Sequence, residues 1–478
     1  MISLGMTQIT HGKTRLLTYF PVALLLLQCW SSMAFGQTIS FNQAWARLLQ
    51  SDDSIAAEHA GVDRAQFLKE SAKGLYWPQV NVGASYTRLD KPVELDARDL
   101  NPLASHRDIF AALNQLINTS GNPFVTRFTE QNVVTSSVQV VWPLFTGGRI
   151  DAAQSIRAAQ VNEAEQMLIV RTLAQFEALA QTYYGVVMAH QVMKTRQDIE
   201  KGMAQHYDHA RKLEAQGQIA RVEVLSAQSA YDMARIETQK ARRSMETTEM
   251  VFAKLIKTEG ATPSSSLFVN KVLPELTALV KQTLNTHPGL KVLSAKRDQA
   301  KDLIRIERAK YAPDVFLFGN YQLYEQDTLA ARTTPDWMVG VGVSVPLISR
   351  EGRSDNIAAA KSAEMQVNYL EADMRQNLEI VVESTWREAR LALEEFNSLS
   401  STQKLAEENV RLRNKAFMQG MSTSLDVVDA LNQLAGAKTQ RASAAYRYVV
   451  SIARLMAISG QITRFSDYQT QHAIQVMP

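Results

Sequence analysis

After Arg149 the chain runs to Pro263 without a proline. Residues 150–215 of that run hold a helical pattern throughout. Leu173, Phe176, Ala180, Tyr183 and Val187 are spaced 3, 4, 3 and 4, the 3.5 period of a supercoiling helix. At ~1.5 Å per residue such a helix is about 100 Å long, far beyond the ~11-residue average. A helix of that length cannot bury its own apolar stripe, so it needs equally long neighbours. Gln216-Gly217-Gln218 breaks the run. A second helix, from about Val222 to Lys257, then carries the seam Ala234, Thr238, Ala241, Met245, Thr248, Phe252 and Leu255. Two long helices around a tight glycine turn make an antiparallel hairpin.

The same device returns. Val138-Gln-Val-Val-Trp-Pro-Leu-Phe-Thr-Gly-Gly-Arg149 reads as a strand end, a turn and a helix start. Val341-Gly-Val-Ser-Val-Pro-Leu-Ile-Ser-Arg-Glu-Gly-Arg353 repeats it, with the Pro-Leu pair offset by 203 and Gly-Arg by 204. Asn356 to Met418 is the second long helix, with seam Leu378, Val382, Thr385, Ala389, Ala392, Phe396 and Leu399. Gln419-Gly420-Met421 is its tip, offset 203 from the first. The last helix has seam Val428, Leu431, Ala435, Lys438, Ala442, Ala445, Val449, Ile452 and Met456, and ends at Gly460. Tyr311-Ala312-Pro313 matches Tyr76-Trp77-Pro78 at 235. The chain is therefore duplicated.

Between the helices lie segments of period two. Over 79–89, Val80, Val82, Ala84 and Tyr86 face one way, and Gln79, Asn81, Gly83 and Ser85 the other. Residues 133–142 form the return strand, stopped near Pro143, which cannot donate to a ladder. Residues 90–132 have no sustained period and read as a long, partly ordered loop. In the second half the strands are 314–324 and 337–345, with a short loop between. One apolar and one polar or tiny face suits a barrel strand, with lipid outside and water inside. Four strands cannot close a barrel, since small ones need ~8, so an oligomer follows from strand counting. Within each half the order is helix, strand, loop, strand, long helix, tip, helix. A helical start is expected from Phe41 to Tyr76, interrupted at Asp52-Asp53-Ser54. Glu259 to Pro274 reads as a linker and 461–478 as a tail.

Lys13 and Arg15, the apolar run Leu16–Leu27 and Ala34-Phe35-Gly36 predict a secretory signal over residues 1–36. No later run reaches ~18 consecutive apolar residues, so a membrane location requires a β-barrel. Cys29 is the only cysteine. It is either lipidated, in a poor lipoprotein box, or lost with the signal; disulfides and thiolate metal sites are excluded. Beyond residue 36 the balance is 49 basic against 48 acidic, which gives no reason to expect nucleic acid.

The strand ending in Pro-Leu-Phe-x-Gly-Gly-Arg, the Tyr-x-Pro before the preceding strand and the duplicated half resemble the TolC-type outer membrane efflux proteins of Gram-negative bacteria. The resemblance covers residues 40–460. It implies a mainly α fold with a transmembrane β-barrel, in which four strands per chain build a trimeric 12-stranded barrel. Long coiled-coil α-hairpins would form a tunnel across the periplasm. The first structural repeat would be 37–273, with hairpin 150–257, and the second 274–460, with hairpin 354–459. A homotrimer in outer membrane lipid is implied, contacting a periplasmic adaptor protein and an inner-membrane transporter. It would be a passive duct of efflux or type I secretion, with no catalytic residue and no cofactor.

In the family, acidic residues after the second tip form a constricting ring at the periplasmic entrance. The matching residues here are Asp426 and Asp429, three apart on one helix face, with Glu223 at the corresponding first-repeat position. In the plainer reading Asp426 favours the helix macrodipole and Asp429 is solvated. Gly217, Gln218, Gly420 and Met421 would touch the adaptor. The family often has an arginine two residues after the second tip glycine. Ser422 stands there instead, so the lock is either weaker or uses Arg221 or Arg411.

Other constellations carry less. His206 and His209 share a helix face but lack a third metal ligand nearby in sequence, which leaves a solvated face. Gly147-Gly148 before a helix lacks the rest of a phosphate loop, and Gly340-x-Gly342 lies inside a strand. Tyr76, Trp77, Trp142, Tyr311, Tyr321, Tyr324 and Trp337 gather at strand ends, as interfacial belts or as ordinary packing. The loop 90–132 is a surface loop, a plug or a receptor. A periplasmic coiled-coil structural protein would explain the helices but not the strands. A periplasmic adaptor would show globular β-domains around one hairpin, not two.

Overall fold

The duplicated hairpins and the four alternating strands are all present. The computed structural model describes residues 38–96, 115, 125–348, 350–470 and 473–476. The expected signal peptide, Cys29 and most of the long loop fall outside them. The first half contains β1 (Thr38–Ile39), α1 (Phe41–Ser51), α2 (Asp53–Lys73), β2 (Gln79–Arg88), β3 (Val93–Asp96), β4 (Val125–Thr129) and β5 (Asn132–Phe145). The long helices α3 (Arg149–Ala215) and α4 (Arg221–Leu255) follow, then β6 (Thr262–Pro263) and β7 (Leu267–Asn270). The second half contains α5 (Leu276–Thr286), α6 (Pro288–Ala309), β8 (Asp314–Glu325), α7 (Leu329–Thr333) and β9 (Trp337–Ser344). It ends with α8 (Arg353–Met418), α9 (Ser424–Ile458), α10 (Phe465–Thr470) and β10 (Ala473–Val476). No helix among the described residues is long and apolar enough to cross a membrane.

The chain forms two compact units that cut across the repeats. One comprises residues up to Asp53, Leu173–Leu279 and the chain from Val382; the other comprises Ser54–Thr172 and Val280–Val381. In the first unit the core is aromatic. Phe41 packs edge-on against Phe176 and Tyr183 and stacks on Tyr184, with ring centroids 5.5–5.6 Å apart. Phe465 lies 5.0 Å from Phe41 and 5.8 Å from Phe268. Edge-to-face rings at these separations add to the burial itself. The buried Tyr183 hydroxyl donates to the Ile39 carbonyl at 2.8 Å and accepts from the Ser265 N–H at 2.9 Å. A buried hydroxyl left alone would cost stability. Ser40 positions Phe41 by opening α1 with a capping box shared with Gln43.

Two segments differ from expectation here. The linker holds β7, buried over its whole length, and the tail holds β10, which pairs antiparallel with it from Ala473↔Asn270 to Val476↔Leu267. The linker also holds β6, paired parallel with β1. Strands of two to four residues show no period, and their partners lie far along the chain, so neither was legible.

The seams behave as read. Phe176, Ala180, Tyr183, Thr238 and Phe252 are buried, as are Leu378, Val382, Thr385, Ala389, Ala392 and Phe396. In α9, every seam residue from Ala442 onward is buried.

The second unit holds a four-stranded antiparallel meander in the order β2-β5-β8-β9. Its register pairs like with like. Val82↔Val138, Val138↔Tyr321 and Gly319↔Val339 lie on one face; Asn81↔Gln139 and Gln139↔Asn320 lie on the other. The apolar face is open to its surroundings: Val80, Val82, Val339, Val341 and Val343 are each about 60–70% exposed. β2 and β9 have no second neighbour among the described residues. The seven strand-end aromatics are all exposed, so they are not ordinary packing within this chain. The Trp142 indole donates to the Tyr76 carbonyl at 2.8 Å.

Pro143 does not end its strand. β5 runs on to Phe145, with an irregularity between Pro143 and Phe145 opposite β8. Pairing with β2 ends at Val141, so the missing proline N–H breaks no bond on that side. The long loop is more ordered at its base than expected, because β3 and β4 pair antiparallel there.

The repeated junction turns on Gly147 (φ +62°) and Gly148 (φ +82°) in the first copy and Gly352 (φ +57°) in the second. L-residues avoid this region. At Gly147 a Cβ would also sit 2.4 Å from the Ala312 Cβ, where the Tyr-Ala-Pro turn passes. Asp314 pairs with Arg149 at 3.1 Å, and the Tyr76 hydroxyl donates to Asp151 at 2.5 Å. The Arg353 guanidinium lies 5.0 Å over Tyr311. The Gly-Arg and Tyr-x-Pro motifs thus meet at the strand–helix junction.

Candidate functional site: the paired helix tips

Both helical tips are closed by the same backbone hydrogen bonds. Gly217 N–H donates to Glu214 O at 2.8 Å and Gln218 N–H to Leu213 O at 2.9 Å. Gly420 N–H donates to Phe417 O at 3.0 Å and Met421 N–H to Ala416 O at 2.9 Å. This is the Schellman pattern, which satisfies the last carbonyls of a helix and requires a left-handed residue. Gly217 (φ +73°) and Gly420 (φ +70°) supply it. Gly217, Gln218, Gly420 and Met421 are all exposed, Met421 at 71%.

Behind the tips the two hairpins share one core. Met203 and Ala210 of α3, Ala227 of α4, Phe417 of α8, and Val427 and Leu431 of α9 pack into a single buried cluster.

The N-terminus of α9 gathers the polar groups. Thr423 and Asp426 form a capping box. Asp426 Oδ2 accepts from the Thr423 N–H (2.9 Å), the Thr423 hydroxyl (2.8 Å) and the Ser422 hydroxyl (3.0 Å). Asp426 Oδ1 lies 3.3 Å from Arg413. These hydrogen bonds, led by the Thr423 N–H and aided by Arg413, hold its carboxyl below the usual range. Asp429 is exposed one turn further on. Glu223 points across from the first hairpin, and its Oε2 accepts from the Ser424 N–H at 2.6 Å.

His206 is not on a solvated face. It is 1% exposed, its Nε2 lies 2.6 Å from Ser424 Oγ, and its ring sits 4.5 Å from that of Phe417. Burial, helped by the neighbouring His209, pushes its pKa down to about 4. The imidazole is therefore neutral at ordinary pH. Its Nδ1 has no hydrogen-bond partner among the described residues. Those residues contain no group of three or more His, Cys, Asp or Glu able to hold a metal. Ser424, fully buried, is thus held from one side by His206 and from the other by Glu223. The clasp ties α9 to both helices of the first hairpin.

Sequence reasoning placed Asp426, Asp429 and Glu223 together, and Asp426 and Glu223 do converge on the start of α9. It missed Arg413 and Ser424, and it named His206 only as a weak metal candidate on a solvated face. Arg413 lies seven residues before Gly420 and Asp426 six after, so counting register around the tip would have found that pair. Of the two arginines suggested as locks, Arg411 instead pairs with Glu408 on its own helix, and Arg221 is exposed.

A family model described as outer membrane efflux protein matches residues 45–256 and 279–461, so both repeats are covered. The chain belongs to the outer membrane efflux protein family. This efflux protein is 23% identical to the outer membrane efflux protein BepC of Brucella suis biovar 1 (strain 1330), over 69% of this chain and 72% of that one. It is also 23% identical to the alkaline protease secretion protein AprF of Pseudomonas aeruginosa, over 62% of each. The chain thus spans less than two thirds of AprF. The solved outer membrane protein VceC of Vibrio cholerae shares its fold, with a TM-score of 0.69 over 88% of this chain and 96% of that one, at 14% identity. Membership of that family places this efflux protein among the proteins of the outer membrane.

Proposed function

We propose that three copies pool their strands into one twelve-stranded barrel and their hairpins into a periplasmic tunnel. The result is a passive duct for tripartite efflux or type I secretion. Material reaches it from an inner-membrane transporter through a periplasmic adaptor. Residues 1–36 are removed as a signal peptide, 37–273 and 274–460 are the two repeats, and 461–478 follow them. One observation carries the reading: a four-stranded sheet with a mainly apolar face, a more polar face and, among the described residues, two unpaired edges. Unpaired edges are costly in lipid, and closure among copies removes them. Native mass spectrometry in detergent tests this, with a trimer expected, together with stepwise conductance in planar bilayers. A monomer that stays soluble without detergent would overturn it.

The tips form the periplasmic entrance. The exposed Gly217, Gln218, Gly420 and Met421 are the adaptor contacts. Three copies of Asp426 and Asp429 form a cation-favouring ring, and Glu223 braces it through Ser424. Asp426 is already engaged by its cap and by Arg413, so Asp429 supplies more of the ring's field. Asp426→Ala with Asp429→Ala is expected to raise single-channel conductance or lower block by multivalent cations, with Asp429→Ala alone giving the larger share. Unchanged conductance and unchanged block would remove both residues from the gate.

A further inference from the structure

The face of the sheet that carries most of its amides and hydroxyls also bears Val133, Val141 and Met338, but its only aromatic rings are two. Phe316 and Phe318 alternate with Leu317 and Gly319, and lie on the face that bears Asn320 and Gln322. Each is paired with a glycine of β9, Phe316↔Gly342 and Phe318↔Gly340. A Cβ on Gly340 would stand 2.7 Å from Phe318 Cζ, and one on Gly342 2.6 Å from Phe316 Cζ. Each ring therefore lies across the neighbouring strand, where the side chain is missing. One ring face rests on backbone. The other is not covered, since both residues are only half-buried. The ring centroids are 6.2 Å apart.

Covering glycine with an aromatic ring steadies a sheet, and that accounts for the pairing. It does not account for placing two phenyl rings on the face that carries the sheet's amides, when the opposite face bears most of its apolar side chains. The charge on this side is one-signed. The only charged side chains of β2, β5, β8 and β9 that share it are Asp314 and Glu325; Arg88 alternates to the other face. Asp314 is engaged by Arg149, and no strand cation competes for the rings.

We infer that Phe316 and Phe318 form a binding surface for aromatic organic cations on the inner wall of the assembled barrel, six rings in the trimer. This rests on the channel reading above. Ring faces attract cations through their quadrupole and stack on aryl groups, so a cation with aryl arms gains twice where an alkyl cation of similar size does not.

The test is block of the reconstituted trimer by tetraphenylphosphonium, with tetrabutylammonium as the alkyl control. Phe316→Leu with Phe318→Leu is expected to weaken the phosphonium block about threefold to tenfold and the ammonium block by a clearly smaller factor. Phe316→Tyr with Phe318→Tyr keeps it. If the paired leucine variant does not assemble, Phe318→Leu alone carries the same comparison. Phosphonium block unchanged in a conducting variant, or both blocks shifting together, would overturn this inference alone. A wild-type protein with no conductance would overturn the channel reading, and this with it.

Discussion

α4 and α9 are the same helix twice. Each is 35 residues long, follows the same glycine tip and returns along a long partner. Yet α9 buries 18 residues and α4 only four. In α9 Ala444, Ala445, Tyr448, Val449, Ile452 and Ala453 are all fully buried, so neighbours cover more than one of its faces. In α4 Val222, Leu225, Met233, Ile236, Met250 and Val251 are each about half or more exposed. Val222, Ile236 and Met250 are successive steps of fourteen, four turns at a 3.5 period, so they form one stripe. Duplication supplied two equivalent helices, and the fold made one a core element and left the other with an apolar stripe turned outward. A stripe of that kind suits a neighbouring copy in the proposed trimer.

The comparison can be broken at its strongest point. Ile452→Ala is expected to cost about 2–5 kcal/mol, read by denaturant unfolding in detergent. Ile236→Ala is expected to cost less in the same measurement, since within its own chain Ile236 is 47% exposed. Ile236→Asp should leave helical circular dichroism intact and reduce the trimer fraction in native mass spectrometry. Equal destabilisation by the two alanine changes would erase the distinction between the helices.

A smaller effect sharpens it at the repeated strand–helix junction. Gly147→Ala meets both the left-handed backbone and the Ala312 Cβ, whereas at Gly352 the nearest atom to a new Cβ is Asp355 Oδ2 at 3.6 Å. Backbone strain alone is about 1–3 kcal/mol, so Gly352→Ala lowers stability and Gly147→Ala lowers it further. An equal loss would mean that the Tyr-Ala-Pro turn yields.

The last effect appears only on acidification and lies at the clasp between the hairpins. The folded pKa of His206, about 4, lies below its ordinary value near 6.5, so the unfolded chain binds more protons between the two. Stability is therefore complete above about pH 6.5 and falls as pH drops towards about 4. Asp426, also depressed, loses its contribution only below the ordinary carboxylate range. His206→Phe should flatten the upper part of the pH profile and leave the lower part. A wild-type profile flat from pH 7 to 4 would contradict the burial of His206.

The elements that could be read in advance are those whose pattern is local and long. α3 was expected at 150–215 and runs 149–215; α9 ends one residue before the expected 459. The strand alternation even divided the faces correctly. At the tips, Gly217 and Gly420 were legible because only a left-handed residue closes such a turn. The carboxylates of the site were placed, but their partners were not, since Ser424 reaches His206 across 218 residues.

Sequence alone thus determined the long helices, the amphipathic strands and the duplication. Each follows from periodicity, which is written residue by residue. Tertiary structure decided the rest. It paired β7 with β10, buried His206 against Phe417, bound Glu223 to the start of α9, and laid Phe316 and Phe318 over glycines of the next strand. Those depend on which distant segments meet, and burial and pairing energies act only once they have met.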